Sequence, residues 1–381
     1  MKTFNGIPWN IRHRILGRVT RGPNNLSFKR NEILITDKDG IGRSRFACVA
    51  CLSSSQERSR LPRWLAAPSV TNISPEDLAQ LHDGDVLQID ETGLISRLWN
   101  ADSNDNVIFV TNTCNCHCVM CPQPPGPDHE DLLPMNKRIL SLLKVYKVSR
   151  IAFTGGEPTI KLDGLLQLLR LCNKRFPQAT VFLLTNGRRL QDIAIAHRIV
   201  AAHPSITYCI PLFSDIDTMH DDIVGARGAF AETVQSLHNL ALLRQRVELR
   251  IVVQRRNFQR LPQFAEFVYR NLPFVLHIAF MGMETVGLAN ENIDSVWIEP
   301  IQYMDMLKRA IVHLHQRDMD ASIYNLPLCL IPKSLWRFAE DSISDWKKTF
   351  LPVCETCSKK PQCPGFFSTS QVQSIGISPI P

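Results

Sequence analysis

The segment Val107-Ile108-Phe109-Val110-Thr111-Asn112-Thr113-Cys114-Asn115-Cys116-His117-Cys118-Val119-Met120-Cys121-Pro122 joins a short apolar run directly to a loop carrying four cysteines. A run of that length, bounded by polar residues, reads as a buried strand rather than a helix. Downstream the pattern repeats. Further strands are expected near Arg150–Thr154, Thr180–Thr185, Thr207–Leu212, Glu248–Gln254 and Val275–Met281. Helical periodicity falls between or after them, near Lys137–Lys147, Leu165–Lys174, Leu190–His203, Phe230–Arg244, Arg260–Asn271 and Pro300–Gln316. Apolar strands alternating with amphipathic helices predict βα units and a parallel sheet. Six units make an α/β, barrel-like (βα)6 sheet that need not close, with its chemistry at the C-terminal ends of the strands. The cysteine loop sits at the first such end.

Upstream the texture differs. Short extended runs such as Glu32-Ile33-Leu34-Ile35-Thr36 and Asp85-Val86-Leu87-Gln88-Ile89 are broken by turn signals, Asp37-Lys38-Asp39-Gly40 among them, which predicts a small β-rich domain. The polar stretch from Trp99 to Asn106 reads as a linker. The expected division is 1–104, 105–320 and a cysteine-rich tail, 321–381.

No apolar run is long enough to cross a bilayer, and Met1 to Arg21 lacks the pattern of a secretory signal, so an intracellular, cytoplasmic protein without a membrane partner is expected. The net charge of +7 is uneven: residues 1–63 hold 13 Lys and Arg against 4 Asp and Glu, a local +9. That segment could face an acidic partner or be a solvated basic surface; without aromatic interleaving it is a weak nucleic-acid signal. Twelve cysteines in an intracellular chain argue for metal more than for disulfides.

The spacing Cys114-x3-Cys118-x2-Cys121 lets one loop wrap three thiolates around a [4Fe-4S] cube and leaves the fourth iron without a protein ligand. An isolated trio of this kind also occurs in zinc sites. The second strand ends in Phe153-Thr154-Gly155-Gly156-Glu157-Pro158, where paired glycines permit close backbone approach and a carboxylate can receive an ammonium. Cys116 breaks the x3 spacing and is read as a non-ligand; His117 is read as solvent-facing.

Together the two motifs resemble the radical S-adenosylmethionine (SAM) superfamily across roughly Val107 to Gly282. The resemblance implies a SAM-binding [4Fe-4S] cluster on Cys114, Cys118 and Cys121, an external electron donor, and reductive cleavage of SAM to a 5′-deoxyadenosyl radical. It further implies cofactor contacts from Gly155, Gly156 and Glu157, from Thr185 and Asn186 of Thr185-Asn186-Gly187, from Ser214 and Asp215 at the ribose, and from Val253, Gln254, Gly282 and Met283 around the adenine. Met120 stands where the family usually has an aromatic residue and could pack on adenine through its sulfur. Within the superfamily, Phe109-Val110-Thr111, Met120-Cys121-Pro122-Gln123-Pro124-Pro125, Asp83-Gly84-Asp85-Val86 and the cysteine-rich tail are similar to the His-Xaa-Ser system maturases of the HxsC type. Membership there would imply a ribosomally made precursor with His-Xaa-Ser repeats and a second radical SAM maturase as partner.

Cys329, Cys354, Cys357 and Cys363 suit either a closed [4Fe-4S] cluster or structural zinc. The tail resembles a shortened SPASM or Twitch-like auxiliary-cluster extension, which implies a second [4Fe-4S] cluster. Cys48 and Cys51 are read as buried or idle thiols, Cys172 and Cys209 as core cysteines, and His277 as a satisfied barrel histidine. Asp217, His220 and Glu284 are candidate substrate contacts. Two rival readings stand beside peptide modification: a radical SAM enzyme acting on RNA, and a non-catalytic zinc-binding interaction protein.

Overall fold

The computed structural model describes residues 2–21, 31–36, 48–55, 66–145, 148–341 and 347–381. The expected turn at Asp37–Gly40, much of the basic segment and the end of the helix expected to Lys147 lie outside these residues. Two compact units divide the chain.

The first comprises residues 1–107, 132–151 and 174–179. Among the described residues it has strands β1 (Thr3–Asn5), β2 (Ile7–Trp9), β3 (Ile15–Thr20), β4 (Glu32–Ile35), β5 (Ala50–Leu52), β6 (Ser69–Thr71), β7 (Val86–Ile89) and β8 (Leu94–Trp99), with a short helix α1 (Pro75–Ala79) and helix α2 (Leu133–Leu142). The sheet order is β1-β8-β7-β3-β4-β5-β6-β2. β1 and β2 therefore stand at opposite ends of the sheet yet are separated only by Gly6, so the sheet curls until its ends meet. No larger residue fits at that closure, because a Cβ on Gly6 would lie 2.5 Å from Val70 Cγ1. Inward residues Phe4, Val19, Ile33, Leu52, Val70, Leu87 and Ile95 fill one core, each stabilising the unit by ~1.5–3 kcal/mol. Cys48 and Cys51 are buried with their Sγ atoms 3.3 Å apart.

The second unit carries β9 (Val107–Phe109), β10 (Arg150–Thr154), β11 (Thr180–Leu184), β12 (Ile206–Pro211), β13 (Arg246–Val252), β14 (His277–Met281) and β15 (Ala321–Tyr324) in a seven-stranded sheet ordered β15 to β9. The registered pairs from β11 to β15 are all parallel. When strand order equals chain order, every right-handed crossover places its helix on the same side. The result is a partial barrel, open between β9 and β15, rather than a doubly wound sheet. Its helices are α3 (Leu162–Arg175), α4 (Ile193–Ala202), α5 (Asp217–Val224), α6 (Ala229–Leu242), α7 (Leu261–Asn271), short α8 (Leu288–Glu291) and α9 (Ile293–Val296), and α10 (Pro300–His315).

Strand β13 shows how the sequence sets the faces. Val247, Leu249 and Ile251 are fully buried, while Glu248, Arg250 and Val252 on the opposite face are partly open. The alternation turns apolar residues toward the helices and polar ones into the lumen. Two elements departed from expectation: helix α5, and a seventh strand, β15, which begins at the boundary expected for the tail. Beyond it the tail contains 3-10 turns and a small sheet of β16 (Lys348–Thr349) and β17 (Phe366–Phe367).

Candidate active site

The cysteine loop leaves the C-terminal end of β9 and is held almost wholly through its backbone. Val110 N donates to Thr154 O at 2.8 Å, and Gly156 N and Glu157 N donate to Thr111 O and Thr113 O at 2.8 Å each. Gly155 and Gly156 are required because side chains there would collide with the Thr111 and Thr113 carbonyls. His117 N and Val119 N donate to Val224 O and Ile223 O at the end of α5, both at 2.9 Å. Leu288 N closes on Cys121 O at 3.0 Å, and Asn292 Nδ2 on Val119 O at 2.9 Å. Asp128 staples the foot of the loop, accepting from Asn112 N at 2.7 Å and from the Thr111 hydroxyl, with Lys161 beside it at 3.1 Å. Burial would raise the Asp128 carboxyl, but these donors hold it below the usual range.

Within the loop the thiols crowd one another. A hydrogen bond from Cys116 brings the Cys114 thiol down to about 7. Burial, followed by the charges of Cys121 and Cys114, pushes Cys118 up to about 12, and burial also raises Cys121. Three thiolates on one short loop would repel one another, and a bound iron cluster would offset that repulsion. Cys116 is buried and His117 exposed.

Glu157 is fully buried, and its carboxylate organises the neighbouring strand end. Oε1 accepts from Thr159 N at 2.9 Å, Thr159 Oγ1 at 2.6 Å and Thr185 Oγ1 at 2.7 Å; Oε2 accepts from Asn186 N at 2.7 Å. Asn186 in turn donates through Nδ2 to Asn115 Oδ1 at 2.6 Å and reaches Cys116 and Cys114 Sγ at 3.4 and 3.9 Å. The Gly-Gly-Glu-Pro and Thr-Asn-Gly motifs thus form one hydrogen-bonded unit with the cysteine loop.

Met120 and Gln254 also meet: Gln254 Nε2 lies 3.6 Å from Met120 Sδ, while its buried Oε1 has no hydrogen-bond partner among the described residues. A buried acceptor of this kind suits a ligand that brings a donor, such as an adenine amine. Ser214 accepts from Ile216 N at 3.0 Å, and Asp215 is paired with Arg260, whose Nε donates at 3.2 Å. Val253 and Met283 line a recess of about 500 Å³ with Trp297, Tyr303, Asn325 and Phe366. Gly282 donates its N–H to Tyr324 O at 2.8 Å.

The other candidates separate. His220 is buried, accepts from Phe213 N at 3.2 Å and is driven down to about 4 by burial, so it is a neutral packing residue. Glu284 pairs with Lys347 at 2.7 Å and accepts from Thr369, tying the tail down. Asp217 accepts from Thr218 N at 2.6 Å at the start of α5.

Sequence reading missed a polar chain in the lumen. Arg250 Nε donates to Glu248 Oε1 at 2.7 Å, Glu248 Oε2 meets His277 Nδ1 at 3.3 Å, and His277 Nε2 meets Ser322 Oγ at 3.0 Å. Tyr324 presents a ring edge to His277, their centroids 6.1 Å apart. Burial alone would raise Glu248, yet the His277 hydrogen bond and the Arg250 guanidinium hold it down to about 2. The alternation of β13 was the available signal: a Glu and an Arg on the same face of a barrel strand are rarely idle.

In the tail, Cys329, Cys354, Cys357 and Cys363 all line one cavity of about 300 Å³, with Lys359, Lys360, Ser378 and Ile380. Leu328 N donates to Cys363 Sγ at 3.4 Å and Ile380 N to Cys357 Sγ at 3.3 Å. Among the described residues, no three His, Cys, Asp or Glu side chains are set to hold a single metal ion.

Residues 108–268 match the profile of the Radical SAM superfamily. This barrel has the radical SAM fold, and the family implies a [4Fe-4S] cluster and SAM. Relatives of the chain include the Fe-coproporphyrin III synthase of Methanosarcina barkeri, 25% identical over 232 residues (59% of this chain, 56% of that one). A probable GTP 3′,8-cyclase of Saccharolobus islandicus is 28% identical over 239 residues (61% and 74%). The sporulation killing factor maturation protein SkfB of Bacillus subtilis is 26% identical over 134 residues (35% and 31%). The chain thus spans little more than half the length of the synthase. No helix among the described residues is long and apolar enough to cross a membrane.

Proposed function

We propose that this chain is a radical SAM enzyme that abstracts hydrogen from a ribosomally made peptide, a His-Xaa-Ser repeat precursor of the HxsC type. The observation that carries the reading is the backbone-clamped Cys114-x3-Cys118-x2-Cys121 loop at a strand end, joined to Glu157 and Asn186. A bound cluster with one open iron would supply the electron that converts SAM to methionine and a 5′-deoxyadenosyl radical. The protein's part is to bind, orient and shield. Glu157 Oε2, which accepts one bond among the described residues, keeps capacity for the cofactor's ammonium; Gln254 Oε1 and Met120 suit the adenine; Ser214 and Asp215 border the ribose position. The lumen chain from Glu248 to Ser322 offers the substrate a polar wall.

The substrate class draws support from SkfB, whose name describes maturation of a sporulation killing factor, and from the tail, which we take as an auxiliary-cluster extension over 321–381. Its four cysteines around one cavity support a second [4Fe-4S] cluster on Cys329, Cys354, Cys357 and Cys363. An external electron donor and a second maturase complete the proposed system, in the cytoplasm.

The test has two parts. Anaerobically reconstituted, reduced protein is incubated with SAM, and 5′-deoxyadenosine is measured; Cys118→Ala should abolish it. The protein is then coexpressed with a His-Xaa-Ser repeat peptide and the peptide weighed. An unchanged mass beside active SAM cleavage would refute the substrate while leaving the chemistry intact.

A further inference from the structure

The loop holds one cysteine more than its proposed cluster needs. We propose that Arg188 is a positioning residue that keeps Cys116 out of the cluster's ligand set, an inference that rests on the cluster reading above. Cys116 lies two residues from each of Cys114 and Cys118, so in a mobile loop its thiol would compete for iron.

Two donors from one turn stand in the way. Arg188 Nη1 donates to Asn115 O at 2.5 Å and lies 3.6 Å from Cys116 Sγ. Asn186 Nδ2 grips Asn115 Oδ1 at 2.6 Å and Cys116 Sγ at 3.4 Å. Together they fix the Asn115–Cys116 peptide and bury Cys116 at 2% exposure, where its thiol is hydrogen-bonded to the Cys114 thiol instead of standing free as a further ligand.

The turn is itself anchored on both flanks. Glu232, in the first turn of α6, takes the Arg188 Nε at 2.5 Å. Thr233 and Ser236 of the same helix donate to Asn186 O at 3.3 Å and Gly187 O at 2.7 Å. Asn186 N is held by Glu157. A planar guanidinium can serve Glu232 and Asn115 at once through a rigid fork; a lysine ammonium on a flexible stem cannot fix both in one geometry. Ligation of iron by Cys116 would break both contacts to its sulfur and leave the Arg188 fork, 14% exposed, with a lost partner.

The experiment compares wild type, Cys116→Ala, Arg188→Met and the double variant after anaerobic reconstitution, reading iron, labile sulfide and the electron paramagnetic resonance of the reduced cluster. Wild type and Cys116→Ala should share one signal. Arg188→Met should add a second, which the double variant loses. Arg188→Lys guards against misfolding of the Met variant and should give the same second signal, again abolished by Cys116→Ala. A single wild-type signal in folded Arg188→Met or Arg188→Lys overturns the proposal. So does a second signal that persists without Cys116, which would trace the disorder to the loop as a whole. If Cys118→Ala keeps a full cluster, the ligand reading falls and this proposal falls with it.

Discussion

Replacing Glu157 with Gln tests how the site is built, because the carboxylate joins three motifs. It is fully buried, with three donors on Oε1 and the Asn186 N–H on Oε2. A Gln carbonyl can take over Oε1, which forces its NH2 against the Asn186 N–H, donor against donor. The buried, unsatisfied N–H costs ~1–3 kcal/mol. The three remaining bonds lose their charge assistance, and with it roughly half their strength, another ~1–3 kcal/mol in total. The variant should therefore be less stable by about 2–6 kcal/mol, a shift of several degrees in Tm. Thr185→Val, which removes one donor to the carboxylate together with the acceptor of the Gly187 N–H, should cost ~1–3 kcal/mol. Differential scanning calorimetry of the reconstituted protein reads both. If the Glu157 carboxylate also meets the cofactor's ammonium, calorimetric titration with SAM should show affinity falling ~10- to 100-fold in Glu157→Gln and holding near wild type in Thr185→Val. A Glu157→Gln protein that melts with wild type would refute the organising role; one that melts early but binds SAM normally would move the ammonium contact elsewhere.

Replacing Cys357 and Cys363 together should remove about four irons per chain, from the cluster type. SAM cleavage without peptide should persist in that variant while peptide modification stops; loss of zinc instead of iron would make the tail site structural. The lumen should make stability acid-sensitive. Because Glu248 is held at about 2 when folded, against an ordinary value of 4.5, its contribution is full above about pH 4.5 and is lost as pH falls toward 2, on the order of 3 kcal/mol in all. Denaturant titrations at pH 5 and pH 3 should therefore differ less for Glu248→Gln than for wild type, and an equal difference in both would deny Glu248 that role. Glu248→Gln should also be less stable than wild type at pH 7 by ~3–5 kcal/mol, since it leaves the Arg250 charge buried beside a weaker partner.

The parts of the fold that repeat were the legible ones. β10 runs over Arg150–Thr154, as expected, and α7 and α10 fall within a residue of their expected ends, because long periodic segments carry a strong signal. β15, only four residues long, offered none; pairing with β14 makes it a strand. α5 begins at Asp217 just past a strand end, in a stretch too short and too polar to show helical periodicity. At the candidate site, Glu157, Asn186 and Met120 were singled out largely through the family resemblance. Arg188, Glu232, Asp128 and Asn292 were not, because their meaning lies in contacts across the barrel that no local pattern encodes. Glu284 and His220 show the converse: a titratable side chain near a strand end is a site candidate only until its partners are known.

Residues 282–288 are shared property. At one end Leu288 N holds the Cys121 carbonyl; in the middle Thr285 exchanges hydrogen bonds with Gln371 and Val372 of the tail, and Glu284 binds Lys347 and Thr369. A tail attached in this way is not a cassette that can be trimmed or transplanted. Ending the chain at Glu340 would preserve the bond from the Glu340 N–H to Ile323 O in β15. It would still strip Glu284 and Thr285 of their tail partners, a few residues from the Leu288 amide that holds the cysteine loop. Chimeras that exchange tails between related enzymes would have to carry this strip of backbone along with them.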